Sequence, residues 1–306
     1  MEKLRRIANI ITLDAFNLPD IGLFKGRMGV ILFYFNYGRY TGNKLYFNIA
    51  SELLTSVYKE VQYSNDISFE EGVAGVVWGM RYLINNNFID GNPTEMFGEF
   101  ERILSNGNFN DCDYRKPMSK IGMYLHLIIE NEDDGYLLVK DLIYVGLKKF
   151  EFYFLCLSLP KPITYINSVL LFLLSLEKIQ DFKIECERIL FKICLSLSRI
   201  GSWAQFEKYD LRILYKLLIA IKFSSQEKET ILKEINSIII FNYNGFSSKD
   251  LWQNFFFLPQ EEIVYNFEDI NRYIDQNYSY RNIVTGNISI YRGLAGIGLA
   301  LMNNGG

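Results

Sequence analysis

Few side chains in this sequence have the types and spacing that catalysis needs. The chain contains a single histidine, His126, and four cysteines, at positions 112, 156, 186 and 194. No two cysteines form a CxxC pair, which is the spacing typical of zinc knuckles and redox motifs. The pattern therefore favours free, buried thiols over a disulfide framework or a cysteine-rich metal site.

His126 and two adjacent carboxylates are the remaining candidates for proton transfer. His126 comes four residues after Gly122, so the two share one helix face, and a hydrogen-bonded core histidine is the favoured interpretation. Glu70 and Glu71 would act as an acid/base pair on a sugar only with their carboxyl groups about 5–9 Å apart. Neighbouring residues at a helix entrance point in different directions, so stabilisation of the helix N-terminus is favoured for both.

Charged and aromatic residues at similar positions are candidates for binding. Lys25, Glu71 and Arg292 each immediately precede a glycine in three similar segments. Trp203 and Trp252 occupy matching places in two later segments, where they could grip a peptide or a sugar, although aromatic packing beneath the loops is favoured. If the segments are structural repeats, we expect these five side chains to border one common cavity.

A repeat of about 46 residues organises these candidates. Three segments, 22–35, 68–83 and 289–302, share a charged residue, a glycine, two further residues and a second glycine before an apolar stretch. The second glycines are Gly29, Gly75 and Gly296. Continuing the interval predicts weaker copies, and hence seven repeats in all, with inner helices that start near these glycines and near Gly122, Ser168, Tyr209 and Asn254.

Each repeat is expected to contain two helices. Residues Leu45, Ile49, Leu53, Val57 and Val61 recur every four positions, with Ala50, Leu54 and Tyr58 beside them, which predicts an amphipathic outer helix. The stretches that follow the glycines are apolar nearly all round, which predicts buried inner helices. Seven such pairs predict an all-α protein, either a superhelix or a closed ring, and the lack of polar capping repeats favours one closed domain over residues 1–306.

The glycines themselves have two interpretations. They let the chain turn sharply into a helix and let neighbouring backbones approach closely, and this scaffold role is favoured. The alternative is that free N–H groups at the starts of the inner helices receive a carboxylate or a peptide carbonyl.

Composition excludes several classes of function. The net charge of −3 and the absence of a basic stripe argue against a nucleic-acid partner. Apolar runs such as 169–174 and 238–241 fall far short of the roughly 20 residues that span a bilayer. The N-terminus does not have the pattern of a signal peptide, so we expect no membrane span and a cytoplasmic protein.

The sequences GLFKGRMGVILF, EEGVAGVVWGM and YRGLAGIGLAL resemble the repeat of the lanthionine synthetase C-like proteins. The resemblance extends over the whole chain and is most specific in the first, second and seventh repeats. It implies an α/α toroid, a closed double ring of about seven inner and seven outer helices. The enzymes of that family use zinc to activate a peptide cysteine, whose thiolate adds to a dehydroamino acid and forms a thioether.

The zinc ligands that the resemblance implies are not retained. Ala204 stands where the family has a cysteine, and Lys249 and Asp250 stand where it has a Cys-His pair. Thr164 replaces a histidine that is a candidate acid/base, whereas Asp113, beside two basic residues, lies near a family aspartate. A catalytic zinc needs about three protein ligands and a water, so no metal site and no cofactor are predicted.

The resemblance therefore predicts a peptide-binding member without zinc that is not an active cyclase. Its expected partner is a peptide substrate or another protein of a ribosomal-peptide modification pathway. One alternative is an active cyclase with displaced ligands, for which Cys112, His126 and Asp113 are candidates and zinc would be the cofactor. Another alternative is a carbohydrate-acting α/α-barrel enzyme that uses carboxylates at the rim.

Overall fold

The computed structural model describes most of the helical repeats. It covers residues 2–66, 68–91, 163–240, 267–278 and 287–303, together with residues 140, 143–144, 146–148 and 150–151. The chain divides into two compact units, which are described separately below. Unit 1 is Met1–Gly107 with Gly245–Gly306, and unit 2 is Asn108–Asn244. The single domain over residues 1–306 stays a prediction.

The described residues are all-helical, as the sequence predicts. They contain no β-strand, and their α-helices are Glu2–Asp14 (α1), Arg27–Thr41 (α2), Lys44–Val61 (α3), Val73–Asn85 (α4), Ile163–Leu176 (α5), Lys183–Leu197 (α6), Lys208–Ala220 (α7), Gln226–Ile240 (α8), Phe267–Asn277 (α9) and Leu294–Asn303 (α10). Short 3-10 turns lie at Ala15–Asn17, Gln180–Phe182 and Trp203–Gln205.

The helix starts follow the predicted repeat in four of the five places that the structure describes. Helices α2, α4, α7 and α10 begin within two residues of Gly29, Gly75, Tyr209 and Gly296. Helix α5 begins at Ile163, five residues before Ser168, in a repeat where no glycine pair marks the turn. Gly122 and Asn254 lie outside the described residues.

The core of unit 1 is built on α2 and α4. All residues of α2 from Arg27 to Phe35 are buried, and so are all residues of α4 from Val73 to Arg81. Helix α2 contacts α3, α4 and α10. These two helices therefore have the all-round burial that was predicted for inner helices, because they pack against neighbours on several sides.

Helix α3 is the amphipathic outer helix that the four-residue spacing predicts. Its buried face is narrower than the full set of apolar residues in the pattern. Ala50, Leu53, Val57 and Val61 are buried, whereas Leu45 is 57% exposed and Tyr58 is 41% exposed. Leu45 belongs to the first turn of α3 and Tyr58 follows the buried Val57 on the outward side. Leu45 and Tyr58, two of the apolar residues from which this helix was predicted, therefore lie outside its buried face.

The last described helix packs against the first repeat. Helix α10 contacts both α1 and α2, and a side chain at Gly298 would overlap the ring of Phe33 on α2. Small residues allow this close approach of the two helices. A closed ring requires such a contact between its first and last repeats, but the closed double ring itself stays a prediction.

Unit 2 contains two further helix pairs. Helix α5 packs against α6 and α7, and α8 packs against α6 and α7. Cys186 and Cys194 on α6 are free and fully buried. Burial raises the pKa of Cys186 to about 12 and that of Cys194 to about 11. These two cysteines are therefore unreactive core thiols, as predicted, and the other two lie outside the described residues.

Within the described part of the chain, no helix combines the length and the apolar composition that crossing a bilayer requires.

Candidate functional site in the loops before the inner helices

Three inner helices of unit 1 begin in the same way. The first N–H group of α2, from Arg27, donates to the carbonyl of Asp20 at 2.9 Å. The equivalent bonds join Val73 to Asp66 at 2.8 Å and Leu294 to Asn287 at 3.0 Å. Because each helix uses a carbonyl seven residues earlier, these three N–H groups are not available to a ligand. The alternative that they receive a carboxylate or a peptide carbonyl was wrong for these groups.

The loops that precede these helices are bonded to one another. The N–H of Gly22 donates to the carbonyl of Glu71 at 2.8 Å, and the N–H of Phe24 donates to that of Glu70 at 3.0 Å. On its other side, the carbonyl of Phe24 accepts a bond from the N–H of Tyr291 at 2.8 Å. A Cβ at Gly22 would overlap the backbone of Glu71, which confirms a scaffold role for this glycine.

Three of the five predicted binding residues lie on these linked loops. The ammonium of Lys25 donates to Oε1 of Glu71 at 2.5 Å, with side chains that are 41% and 27% exposed. Arg292 is exposed, and its backbone φ of 54° is in the left-handed region. Its carbonyl accepts a hydrogen bond from the hydroxyl of Tyr273 at 2.9 Å. The structure therefore brings Lys25, Glu71 and Arg292 to one group of loops, hereafter the loop cluster.

The surroundings of the loop cluster raise the pKa of two of its charged groups, Asp20 and Lys25. Burial raises the pKa of the Asp20 carboxyl, and the nearby charge of Glu71 raises it further. Burial alone would lower the pKa of Lys25, but the hydrogen bond and the charge of Glu71 outweigh it, so this pKa is raised. Asp20 is a polar site residue that sequence reasoning missed. The signal was its place in the repeat, since Asp20, Asp66 and Asn287 occupy equivalent positions.

A buried arginine anchors the loop cluster to the outer helix. The Arg27 side chain is 7% exposed and forms a two-pronged ion pair with the carboxylate of Glu60 on α3. Its Nη1 also donates to the hydroxyl of Ser56 at 2.9 Å. The hydrogen bond from Arg27 is the largest cause that lowers the pKa of Glu60. Arg27 is the first residue of α2, so this ion pair fixes the helix start against α3.

Comparison with protein-family models identifies the segment that contains these loops. The model described as lanthionine synthetase C-like protein matches residues 19–136. Residues 19–136 are therefore similar to the lanthionine synthetase C-like proteins. The predicted resemblance is thereby confirmed over residues that include Lys25 and Glu71 of the loop cluster and the repeat glycines Gly29 and Gly75.

The comparison with curated proteins and the comparison with solved structures returned no match. The lanthionine synthetase C-like assignment therefore rests on the family model together with the repeated loops. Arg292 lies beyond the matched segment, but its loop is hydrogen-bonded to the matched loop of the first repeat through Tyr291 and Phe24.

Trp203 and Ala204 belong to unit 2, in the short turn that precedes α7. Trp203 is 3% exposed, and its indole N–H donates to the Glu234 carboxylate on α8 at 2.8 Å. This burial favours the packing interpretation of Trp203 over ligand contact. Ala204 is exposed beside it and offers no donor atom to a metal ion.

In the part of the chain that the structure describes, no three His, Cys, Asp or Glu side chains are grouped so that they could hold a metal ion. Several predicted residues lie outside the described residues, namely Trp252, His126, Asp113, Cys112, Lys249 and Asp250. Thr164 is part of α5, and its side chain is not among those described. A common cavity bordered by all five predicted binding residues stays a prediction.

Proposed function

We propose that this lanthionine synthetase C-like protein binds a peptide in a ribosomal-peptide modification pathway and does not form thioethers through zinc. The observation that carries the proposal is Ala204, an exposed methyl group at the position where the resemblance places a zinc-binding thiolate. Lys249 and Asp250 stand at the other two ligand positions. An ammonium group has no lone pair to donate, so one carboxylate remains for the metal.

Ligand count explains why such a site would not work. Zinc binding of roughly 10 kcal/mol or more comes from several deprotonated ligands acting together. A single aspartate beside a lysine is an incomplete shell and also carries a competing counter-ion. The residues at these positions therefore do not fit a zinc ion.

The loop cluster supports peptide binding. It contains the Lys25–Glu71 ion pair, in which both side chains are partly exposed. It also contains Arg292, which is exposed. Charges of both signs on hydrogen-bonded loops suit a peptide, which carries charges of both signs itself. The contact of α10 with α2 is consistent with the closed toroid, in which equivalent loops of seven repeats would surround one mouth.

Two measurements test the chemical part of the proposal. We expect elemental analysis after dialysis against metal-free buffer to find far less than one zinc per chain. We also expect no cyclisation of a dehydrated, cysteine-containing peptide. Addition of a thiol to a dehydroamino acid leaves the mass unchanged, so the peptide is alkylated after the reaction and its remaining thiols are counted by mass spectrometry.

A matched variant gives these measurements a positive control. The triple substitution Ala204→Cys, Lys249→Cys and Asp250→His restores the ligand types that the resemblance implies, whereas Ala204→Cys alone does not. We expect zinc binding in the triple variant only. About one zinc per chain in the unmodified protein would overturn the proposal in favour of a cyclase with displaced ligands.

Peptide binding is tested separately by titration of the same peptide, with its thiols blocked, into the unmodified protein and an Arg292→Ala variant. We expect saturable binding that the variant weakens. Lys59→Gln, on the exposed side of α3, is the control and should bind normally. Absence of saturable binding would overturn this part of the proposal.

A further inference from the structure

Unit 1 contains a cleft at the opposite end of α2 from the loop cluster. Its volume is about 570 Å³, within the range of small-molecule sites. Among the described residues it is lined by Glu2, Arg5, Tyr37, Thr41, Asn43 and Tyr46. Because α2 has 15 residues, with a rise of about 1.5 Å each, the cleft and the loop cluster lie about 20 Å apart along the helix.

Two tyrosines form an aromatic corner in this cleft. The ring centres of Tyr37 and Tyr46 lie 4.6 Å apart at an angle of 58°. Tyr37 is only 4% exposed, and burial, followed by the neighbouring Tyr46, raises its pKa to about 12. Tyr37 is almost fully buried, so the half-buried ring of Tyr46 supplies most of the surface that a flat apolar group could contact.

Two opposite charges stand beside the aromatic corner. Glu2 and Arg5 are exposed, and they lie three residues apart on α1, so their side chains are neighbours on the helix surface. Neither forms an ion pair or a side-chain hydrogen bond with another described residue. A purely anionic ligand would meet Glu2 and a purely cationic one would meet Arg5, so a ligand with both charges fits best.

Thr41 and Asn43, the remaining polar residues of the cleft, mainly stabilise its shape. The Thr41 hydroxyl donates to the carbonyl of Tyr37 at 2.8 Å and accepts from the N–H of Asn43 at 3.3 Å. Oδ1 of Asn43 caps α3 by accepting from the N–H of Leu45 at 3.0 Å. These bonds hold the turn between α2 and α3, and the side-chain N–H groups of Asn43 take no part in them.

We propose that this cleft binds a free aromatic α-amino acid. The ligand's carboxylate pairs with Arg5, its ammonium group pairs with Glu2, and its ring packs on Tyr46 beside Tyr37. A guanidinium and a carboxylate match in geometry and can form two parallel hydrogen bonds. This site is separate from the peptide surface of the loop cluster and does not depend on it.

Three related compounds test the charge requirement on the full chain. L-Phenylalanine carries both charges, N-acetyl-L-phenylalanine only the carboxylate, and L-phenylalaninamide only the ammonium group. Titration calorimetry gives each affinity, and a ligand-induced rise of Tm checks it. Because each derivative loses one hydrogen bond to a charged group, we expect L-phenylalanine to bind roughly tenfold or more tightly than either derivative.

Variants that remove one charge each, at Arg5 or at Glu2, test which ligand group each residue contacts. We expect Arg5→Gln to weaken L-phenylalanine and the N-acetyl derivative by about tenfold and to leave the amide unchanged. Glu2→Gln should weaken L-phenylalanine and the amide and leave the N-acetyl derivative unchanged. Both residues are exposed, so ligand-free Tm values within about 2 °C of the unmodified protein would show that the variants are folded.

Glu52→Gln and Lys59→Gln, exposed residues of α3 outside the cleft, are the matched controls and should leave all three affinities unchanged. Three results would overturn the proposal: no saturable binding of L-phenylalanine, equal affinity for the three compounds, or affinities that neither cleft variant alters. None of these results bears on peptide binding at the loop cluster, which the blocked peptide reports independently.

Discussion

Lys25 and Glu71 occupy the same position in consecutive repeats, and their side chains form an ion pair with Nζ and Oε1 2.5 Å apart. Equivalent residues thus carry opposite charges and meet where the loops of the two repeats are hydrogen-bonded. Both side chains are partly exposed, so solvent screens the pair and its contribution to stability is on the order of 0–1 kcal/mol. The pair therefore contributes little to holding the fold, and contact of these two side chains with a ligand stays a prediction.

Reversal of one charge in this pair should be mildly destabilising, and reversal of both should restore stability. We expect Lys25→Glu to lower the free energy of unfolding by about 1 kcal/mol, because it places like charges together beside Asp20. The double variant Lys25→Glu, Glu71→Lys should recover most of this loss. Urea unfolding followed by circular dichroism measures both. A double variant that is less stable than the single variant would contradict the pairing.

The ion pair of Arg27 with Glu60 should make stability depend on pH. The pKa of Glu60 is lowered from its ordinary value near 4.5, so its stabilising effect is fully present above that value and is lost as pH falls through the lower, folded-state pKa. We expect Glu60→Gln to cost about 1 kcal/mol at pH 7, since the carboxylate is half exposed and screened.

Unfolding of the unmodified protein and of Glu60→Gln at pH 7 and at pH 3 tests this dependence. The difference between the two proteins should shrink at the lower pH. Glu52→Gln, on the same helix and without such a partner, is the control and should show a small difference that does not change with pH. A Glu60→Gln cost that stays constant down to pH 3 would argue against the ion pair.

Gly22 and Gly201 should respond in opposite ways to the same substitution. A Cβ at Gly22 would overlap the backbone of Glu71, whereas one at Gly201 would meet nothing within 4 Å. Backbone cannot yield as a flexible side chain does, so we expect Gly22→Ala to cost roughly 3 kcal/mol. Gly201→Ala should be neutral or slightly stabilising. Thermal unfolding of both variants decides this, and equal Tm values would refute the close approach of the loops.

We expect Arg292 to lower the stability of the fold through its backbone conformation while its side chain contributes to peptide binding. Its left-handed φ of 54° costs a residue with a Cβ about 1 kcal/mol or more, and glycine removes that cost. We expect Arg292→Gly to raise the free energy of unfolding by up to about 1 kcal/mol and, under the proposed function, to weaken peptide binding. Calorimetric Tm values and the peptide titration are the two measurements.

Asn87 is the matched control for this substitution. It also has a left-handed φ, of 55°, but asparagine tolerates that region, and Asn87 lies in the turn after α4. We expect Asn87→Gly to leave both Tm and peptide binding nearly unchanged. If Arg292→Gly lowered the Tm while Asn87→Gly did not, an interaction of the Arg292 side chain would outweigh the strain of its backbone.

Local patterns in the sequence determined the helical class of the described residues and the starts of most inner helices. The paired glycines at the starts of α2, α4 and α10 and the apolar stretches after them act within one turn of helix, so they could be recognised without distant partners. The equivalence of Lys25, Glu71 and Arg292 followed from the same repeat. Where the glycines are missing, as before α5, the predicted start at Ser168 was five residues late.

The tertiary structure alone decided which of these residues meet. The ion pair of Arg27 with Glu60, the burial of Trp203 against Glu234 and the contact of α10 with α2 all join residues that are distant in sequence. Helical periodicity states which face of a helix is buried but not which neighbour covers it. The cleft between α1, α2 and α3 could not be predicted for the same reason, since the described residues that line it share no motif and form one surface only when the three helices pack together.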